Sequence, residues 1–226
     1  MNSDGGPISA AEQLIREFHV IAAEHDRGLP HQLKRMLELG CERLGMELGI
    51  VSRVKGNVYH VVQARTPDLS VVSGDEFELG TTYCSYTLAA DGPVGFAYAG
   101  KSEVREHPCY KTFGLEAYLG IPLRTQAGVF GTLNFSSARP RAGDFDKVDV
   151  DAVQLMGTWI NGELSRAQLA DRVAGLERLL PTCSCCDLVR NELGDWQPIE
   201  QYFRERAGVD FSHGLCPQCE ASGRWP

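Results

Sequence analysis

The chain has no run of eighteen apolar residues, no internal repeat and no low-complexity tract. The first absence argues against a membrane-spanning helix, which needs about twenty mostly apolar residues. The opening MNSDGGPISA is polar and has neither the basic nor the apolar region of a secretory leader, so export is not expected and a cytoplasmic location is. Positive charge is also scarce. Lys+Arg number 22 against 30 Asp+Glu, a formal net of −8, and no basic cluster interrupts the acidic balance. From Pro181 to Pro226 four arginines and no lysine stand against seven acids, a net of −3. Nucleic-acid binding depends on neutralising phosphates, so that partner is excluded and a protein partner is expected instead.

Cysteine is present, and unevenly placed. Five of the eight cysteines lie in PTCSCCDLVRNELGDWQPIEQYFRERAGVDFSHGLCPQCE, from Pro181 to Glu220. Cys183 and Cys186 form one C-x2-C knuckle and Cys216 and Cys219 a second, with 29 residues between them. Four thiolates in two such knuckles suit one tetrahedral ion, and zinc is the simplest reading. An all-cysteine site leaves no coordination position open to water, so this zinc is expected to be structural. Disulfides are the alternative, disfavoured by the absence of a leader. Cys185 fits the knuckle spacing less well and is read as a spectator. His213 is a spare ligand or, more simply, a hydrogen-bonding residue that orients a neighbouring loop or sulfur. Between the knuckles Trp196, Ile199, Tyr202 and Phe203 stand at helical spacing, with Pro198 near the start and Gly208 past the end. So short a segment buries little core, and metal is expected to contribute on the order of 10 kcal/mol to its folding.

Along the rest of the chain, Ile8 to Glu24 reads as an amphipathic helix through Leu14, Ile15, Phe18 and Ile21/Ala22, and LPHQLKRMLELGCERLGM as a second through Leu33, Met36, Leu37 and Leu44. Cys41 sits among those apolar positions and reads as core. The period then changes to two. Leu48 to Arg65 forms a hairpin around KGN, TPDLSVVSGDEFELG is a long connection, and TTYCSYTLAADG is a short helix. VGFAYA is a strand, SEVREHPCYKTFG a helix or helical loop, and AYLGIPL with VFGTLNFSS a second hairpin. A proline-free run from Asp144, the expected N-cap, to Leu180 is a long helix. Val153, Met156, Trp159 and Ile160 face its domain. Leu169, Val173, Leu176 and Leu180 form the seam of a parallel homodimer or the apolar face of a helix that folds back. The order predicts an α+β domain with one antiparallel sheet and helices packed on it.

FELGTTYCSYTLAADGPV, HPCYKTFGLEAYLGIPL and VFGTLNFSSARPRAGDFDKVDVDAVQLMGTWI resemble GAF domains, the regulatory modules of bacterial sensor kinases and cyclases. The resemblance covers roughly Leu14 to Leu164. The cysteine-paired tail resembles a segment that follows sensory and receiver domains in some bacterial signalling proteins. The domains expected are a GAF-like sensory domain over residues 1–165, a helical linker or coiled coil over 166–180 and a four-cysteine zinc module over 181–226. The resemblance implies six antiparallel strands with helices from both chain ends on one face. The other face would carry a small-molecule pocket roofed by Thr81 to Ala90 and Ser102 to Gly114. Alternation places Leu119, Ile121, Leu123, Leu133 and Phe135 on the helix side and Tyr118, Gly120, Thr132 and Asn134 on the pocket side. With Tyr83, Cys84, Tyr86, His107 and Tyr110, these last would give a cavity aromatic walls and a few polar groups.

No kinase, cyclase, receiver or helix-turn-helix output is present, so the chain is expected to be a sensor or adaptor that signals through its long helix and zinc module to a partner protein. An enzymatic alternative rests on Cys84 and Cys109, since free methionine-(R)-sulfoxide reductases are GAF-fold thiol enzymes. Against it, the glycine after that family's first cysteine is Ser85 here, and of its acidic signature only Glu116 stands near EAYLGIPL. Bilin attachment is disfavoured because Ser85 and Tyr110, not histidine, follow the two cysteines. Haem through His107 is weaker than a hydrogen-bonding role for that residue. No motif identifies a cyclic nucleotide, and Arg53, Arg65 and Arg124 read as solvated edge charges. A ligand-free interaction module is the remaining alternative.

Overall fold

The computed structural model describes residues 9–68, 70–126, 128–177 and 180–223. The chain divides into two compact units, Met1–Gln168 and Leu169–Pro226. The first runs α1 (Ala10–Ala23), α2 (Leu29–Leu44), β1 (Leu48–Lys55), β2 (Val58–Arg65), β3 (Glu76–Glu78), α3 (Cys84–Ala89), β4 (Val94–Phe96), α4 (Pro108–Phe113), β5 (Ala117–Thr125), β6 (Gly128–Ser137) and the start of α5 (Lys147–Glu177). The six strands form one sheet in the order β3-β2-β1-β6-β5-β4, antiparallel throughout. Among the described residues no helix is long and apolar enough to cross a membrane.

The first helix begins where Ser9 and Glu12 cap each other, the Glu12 amide donating to Ser9 Oγ at 3.2 Å and the Ser9 amide to Glu12 Oε2 at 2.9 Å. The expected start at Ile8 lies outside the described residues. Leu14, Phe18 and Ile21 are buried, whereas Ile15 is exposed, so the apolar stripe is narrower than the sequence suggests. In α2, Leu33, Met36, Leu37, Cys41 and Leu44 are buried, and Gly45 ends the helix at φ 64. In α5, Val153, Met156 and Ile160 are buried while Trp159 is half-buried, its ring edge-on to Phe18 at 6.4 Å. These three helices cover one sheet face, against Leu119, Leu123, Leu133 and Phe135. Each such fully buried side chain contributes about 1.5–3 kcal/mol. The alternation across β5 and β6 is as the sequence indicates, with Leu119 opposite Phe135 and Ile121 opposite Leu133.

Two glycines permit close approaches. A Cβ on Gly40 would lie 2.2 Å from the Phe135 ring, and one on Gly131 would lie 2.0 Å from the Ser52 carbonyl oxygen. The first lets α2 settle onto β6 and the second lets β6 pass the bulge between Val51 and Ser52 in β1.

Three expectations are corrected and one, the helical segment before β5, is refined. The connection after β2 contains an edge strand, β3, only three residues long and paired with Val58 to His60. The N-cap of α5 is Asp146, not Asp144: the Asp149 amide donates to Asp146 Oδ1 at 2.7 Å. The segment before β5 is two pieces, a 3-10 turn at Glu103–Glu106 and then α4, because Pro108 cannot donate and so starts a new helix. In the second unit Trp196 belongs to a strand and not to the following helix.

That second unit contains a two-residue ribbon of β7 (Val189–Arg190) and β8 (Trp196–Gln197), then α6 (Ile199–Ala207) and α7 (Pro217–Ser222). Pro198 holds an extended conformation at ψ 145, so α6 starts only at Ile199 and leaves Trp196 in the ribbon. Gly208 closes α6 at φ 64. Val189 is buried, while Leu193, Trp196, Ile199 and Phe211 are exposed, so this unit has very little apolar interior.

Candidate functional site

On the face of the sheet opposite the helices, Ile50, Tyr59, Val61, Tyr83, Cys84, Cys109 and Tyr118 form a second cluster, separate from the main core. Beside it lies a cavity of about 570 Å³, within the range of roughly 300–1,000 Å³ typical of small-molecule sites. Its floor is sheet, from Ile50, Tyr59, Tyr118 and Asn134; its roof comes from Thr82 to Cys84 and from α4. Tyr83 is locked between neighbours, its ring 4.7 Å from Phe96 and 5.5 Å from Tyr118 and its hydroxyl donating to the Leu115 carbonyl at 3.0 Å.

A buried polar network runs under Cys84. Thr132 Oγ1, Asn134 Nδ2 and Tyr118 Oη stand 3.3, 3.4 and 3.6 Å from its sulfur, and Tyr118 Oη also meets Thr87 Oγ1 at 2.6 Å. Ser52 Oγ lies 2.9 Å from Thr132 Oγ1 and accepts from the Thr132 amide at 3.1 Å. Burial outweighs these donors and pushes the Cys84 thiol up from its ordinary value. Burial likewise raises Cys109 to about 12. Both cavity thiols are therefore protonated at neutral pH, the opposite of what an attacking thiolate requires.

Of the side chains expected at the pocket, Tyr83, Cys84, Tyr118 and Asn134 line the cavity, and so does Cys109. Tyr86, His107, Tyr110 and Thr132 do not. Thr132 lies beneath the floor in the network just described. His107 caps α4, its Nδ1 accepting from the Cys109 amide at 3.1 Å, so Nε2 carries the proton and faces Ser85 Oγ at 3.4 Å. Burial lowers its pKa, which keeps the ring neutral as that cap demands. Tyr86 packs beside it, ring centroids 4.9 Å apart. Tyr110 donates to Glu116 Oε1 at 2.8 Å while Glu116 Oε2 accepts from the Gly100 amide at 2.9 Å, a clasp between α4 and the start of β5. Arg65 donates to the Glu47 carbonyl at 2.8 Å, Arg124 to the Ala90 carbonyl at 3.0 Å, and Arg53 lies over the Phe130 ring.

The cavity also uses residues that sequence reasoning missed, Phe77, Phe113 and Ser136 chief among them. Ser136 was within reach: it continues the alternation of Thr132 and Asn134 by one step of two. Phe113 stands four residues after Cys109, on the same side of α4. Phe77 had no such signal, being in the short edge strand β3.

In the second unit each cysteine knuckle is formed locally. The Cys183 amide donates to the Leu188 carbonyl at 2.7 Å, the Asp187 amide to the Cys183 carbonyl at 3.1 Å, and Asp187 turns the chain at φ 58. Backbone amides of Cys185 and Cys186, and then the Cys186 thiol, lower the Cys183 pKa; the Cys219 amide and thiol do the same for Cys216. The donor chemistry thus suits a thiolate-binding metal. Among the described residues no three His, Cys, Asp or Glu side chains are grouped so as to hold an ion. Cys185 is exposed, and His213 Nε2 lies 3.6 Å from Glu200 Oε1.

The GAF domain model matches residues 29–164. No curated protein matches the chain. Among solved structures, the GAF domain of an Acinetobacter phosphoenolpyruvate-protein phosphotransferase is similar at TM-score 0.57 and 14% identity, over 71% of this chain and 98% of that one. The chromophore-binding domain of a bacteriophytochrome from R. palustris is similar at TM-score 0.60 and 12% identity, over 74% and 64%. Free methionine-R-sulfoxide reductase from Neisseria meningitidis, solved with its substrate, is similar at TM-score 0.55 and 17% identity, over 74% and 97%. At such identities the likeness is one of fold.

Proposed function

The chain belongs to the GAF domain family, and from that premise we propose that it is a cytoplasmic signal-transduction sensor or adaptor. A small ligand binds in the cavity, and the difference between bound and free states passes along α5, in a homodimer, to a structural-zinc tail that contacts a partner protein. The observation that carries this reading is the preformed cavity of about 570 Å³, which has aromatic walls, a floor of buried hydrogen-bonding groups and a roof of short helical pieces. The α4 part of the roof, held to the start of β5 by the Tyr110 to Glu116 clasp, is suited to two arrangements between which a ligand selects.

Supporting the dimer, Leu169 and Val173 of the expected seam are exposed apolar side chains on α5; the side chain of Leu176 lies outside the described residues. Supporting the metal, the tail has two preformed thiol pairs and almost no core. Zinc would be held by Cys183, Cys186, Cys216 and Cys219 and would supply the cross-link that this segment's packing does not.

The test of the relay is hydrogen exchange in Lys147–Glu177 of the full chain, with and without a saturating ligand verified by calorimetry. A changed exchange rate is expected, and identical rates would rule the relay out.

A thiol reductase is the second reading, favoured by one observation, that Cys84 and Cys109 both line the cavity. The raised pKa of each thiol weighs against it. Such an enzyme would consume methionine sulfoxide with a dithiol donor and lose that activity in Cys84→Ser; the sensor shows neither behaviour.

A further inference from the structure

The chemistry of the cavity narrows what it can hold, given the reading above that it is a ligand site. Strand β6 presents Thr132, Asn134 and Ser136 on the sheet face away from the helices, exposed by only 0, 4 and 3%. Thr132 is satisfied by Ser52 and Cys84. The Asn134 amide nitrogen has two protons and four acceptors within 3.5 Å: Tyr59 Oη, Thr132 Oγ1, Cys84 Sγ and the Ile50 carbonyl. The Ile50 carbonyl can only accept, which fixes the amide with its nitrogen toward the sheet. Among the described residues Asn134 Oδ1 and Ser136 Oγ take no hydrogen bond from the protein, and neither atom is closed off from solvent. Both residues line the cavity. Two polar atoms on one wall that the protein leaves unpaired, and that open to the cavity, mark where a ligand's polar edge can take the place of water.

Charge supplies an independent constraint. The lining contains two carboxylates, Glu47 and Asp68, and among the described residues no Lys, Arg or His. Arg139, on the adjoining loop, is committed to Glu47. An anion entering here would lose its hydration with no cation to replace it. The remaining walls are aromatic. Phe77 and Phe113 meet edge to face at 5.9 Å, and Tyr59 stands 6.3 Å from Phe77.

We propose that the cavity takes an uncharged, flat heteroaromatic molecule that points an N–H or O–H donor at Asn134 Oδ1 and Ser136 Oγ, and that it rejects phosphate- or carboxylate-bearing ligands. Rejection follows from the missing cation, and orientation from the two open polar groups.

The test titrates the isotope-labelled full chain with three probes of one shape. Indole is neutral with a donor, 1-methylindole is neutral without one, and indole-3-acetate is anionic at neutral pH. Indole is expected to shift the Asn134 side-chain amide signals and to bind roughly tenfold or more tightly than either other probe, because a site with open polar groups discriminates against a ligand that cannot pair with them. Ser136→Ala should narrow the gap between indole and 1-methylindole. Asn134→Leu should narrow it further, and where that variant fails to fold, Ser136→Ala alone decides. Indole-3-acetate binding as tightly as indole would overturn the ligand class and leave the cavity a ligand site. Equal binding of indole and 1-methylindole would overturn the donor assignment. Silence from all three probes overturns the proposal, and the same silence from a broad fragment collection would also remove the ligand-site reading. Indole binding with unchanged exchange in α5 would sink the relay alone.

Discussion

Asp149 shows how a single side chain can join three parts of the fold. It is 2% exposed, and its carboxylate meets Arg141 Nη2 at 2.9 Å, Arg43 Nη2 at 3.2 Å and the Asp146 amide at 3.3 Å. Arg141 in turn donates to the Leu44 carbonyl, so the end of α2, the loop after β6 and the first turn of α5 are tied at one point. Removing the carboxylate leaves two partly buried guanidiniums facing each other. Asp149→Ala is expected to cost about 3 kcal/mol of unfolding free energy in urea titrations. A loss under about 0.5 kcal/mol would show that the tie is solvated. Thiols give a pH signature at the same scale. Burial raises Cys41 and Cys109 from 9.0 to about 12, so the folded chain keeps protons that the unfolded chain releases. Their stabilisation is complete below about pH 9 and is withdrawn as pH rises toward about 12. The urea midpoint should fall across that window, and Cys41→Ala should flatten the fall. A midpoint constant to pH 11 would contradict the burial of these groups.

Among the elements, those with strong periodicity were legible and those set by a neighbour were not. Leu14, Phe18 and Ile21 announce α1, and the alternation of Leu119, Leu133 and Phe135 against Tyr118 and Asn134 announces which sheet face meets helices. β3 was hidden because three residues of edge pairing leave no periodic trace, and with it Phe77 of the cavity wall. The start of α5 was misplaced by two residues because Asp144 and Asp146 are equally good caps in sequence, and only the reciprocal bond with Asp149 distinguishes them. His107 and Tyr110 were read as pocket groups, and the structure assigns them to a helix cap and a clasp instead, uses that composition cannot reveal. The two C-x2-C spacings predict one four-cysteine zinc site, and among the described residues no three metal-ligating side chains are grouped. Cys183→Ser or Cys216→Ser is expected to unfold the tail locally, seen as protease cleavage after residue 180, and to leave the thermal transition of the GAF domain unchanged. A variant that retained full zinc and a protected tail would refute the four-cysteine site.

For the whole molecule the account has three dependent parts: a ligand in the cavity, a homodimer along α5 and zinc in the tail. A protein partner and not a nucleic acid is proposed because the chain's net charge is −8. The most direct measurement is the mass of the purified full chain under native conditions compared with its denatured mass. The account predicts a dimer carrying one zinc per chain, with a small neutral organic molecule in excess of that mass when the cavity is filled by the expressing cell or by added indole. A monomer with no metal, whose mass equals the denatured chain even with indole in excess, would contradict the account at every level.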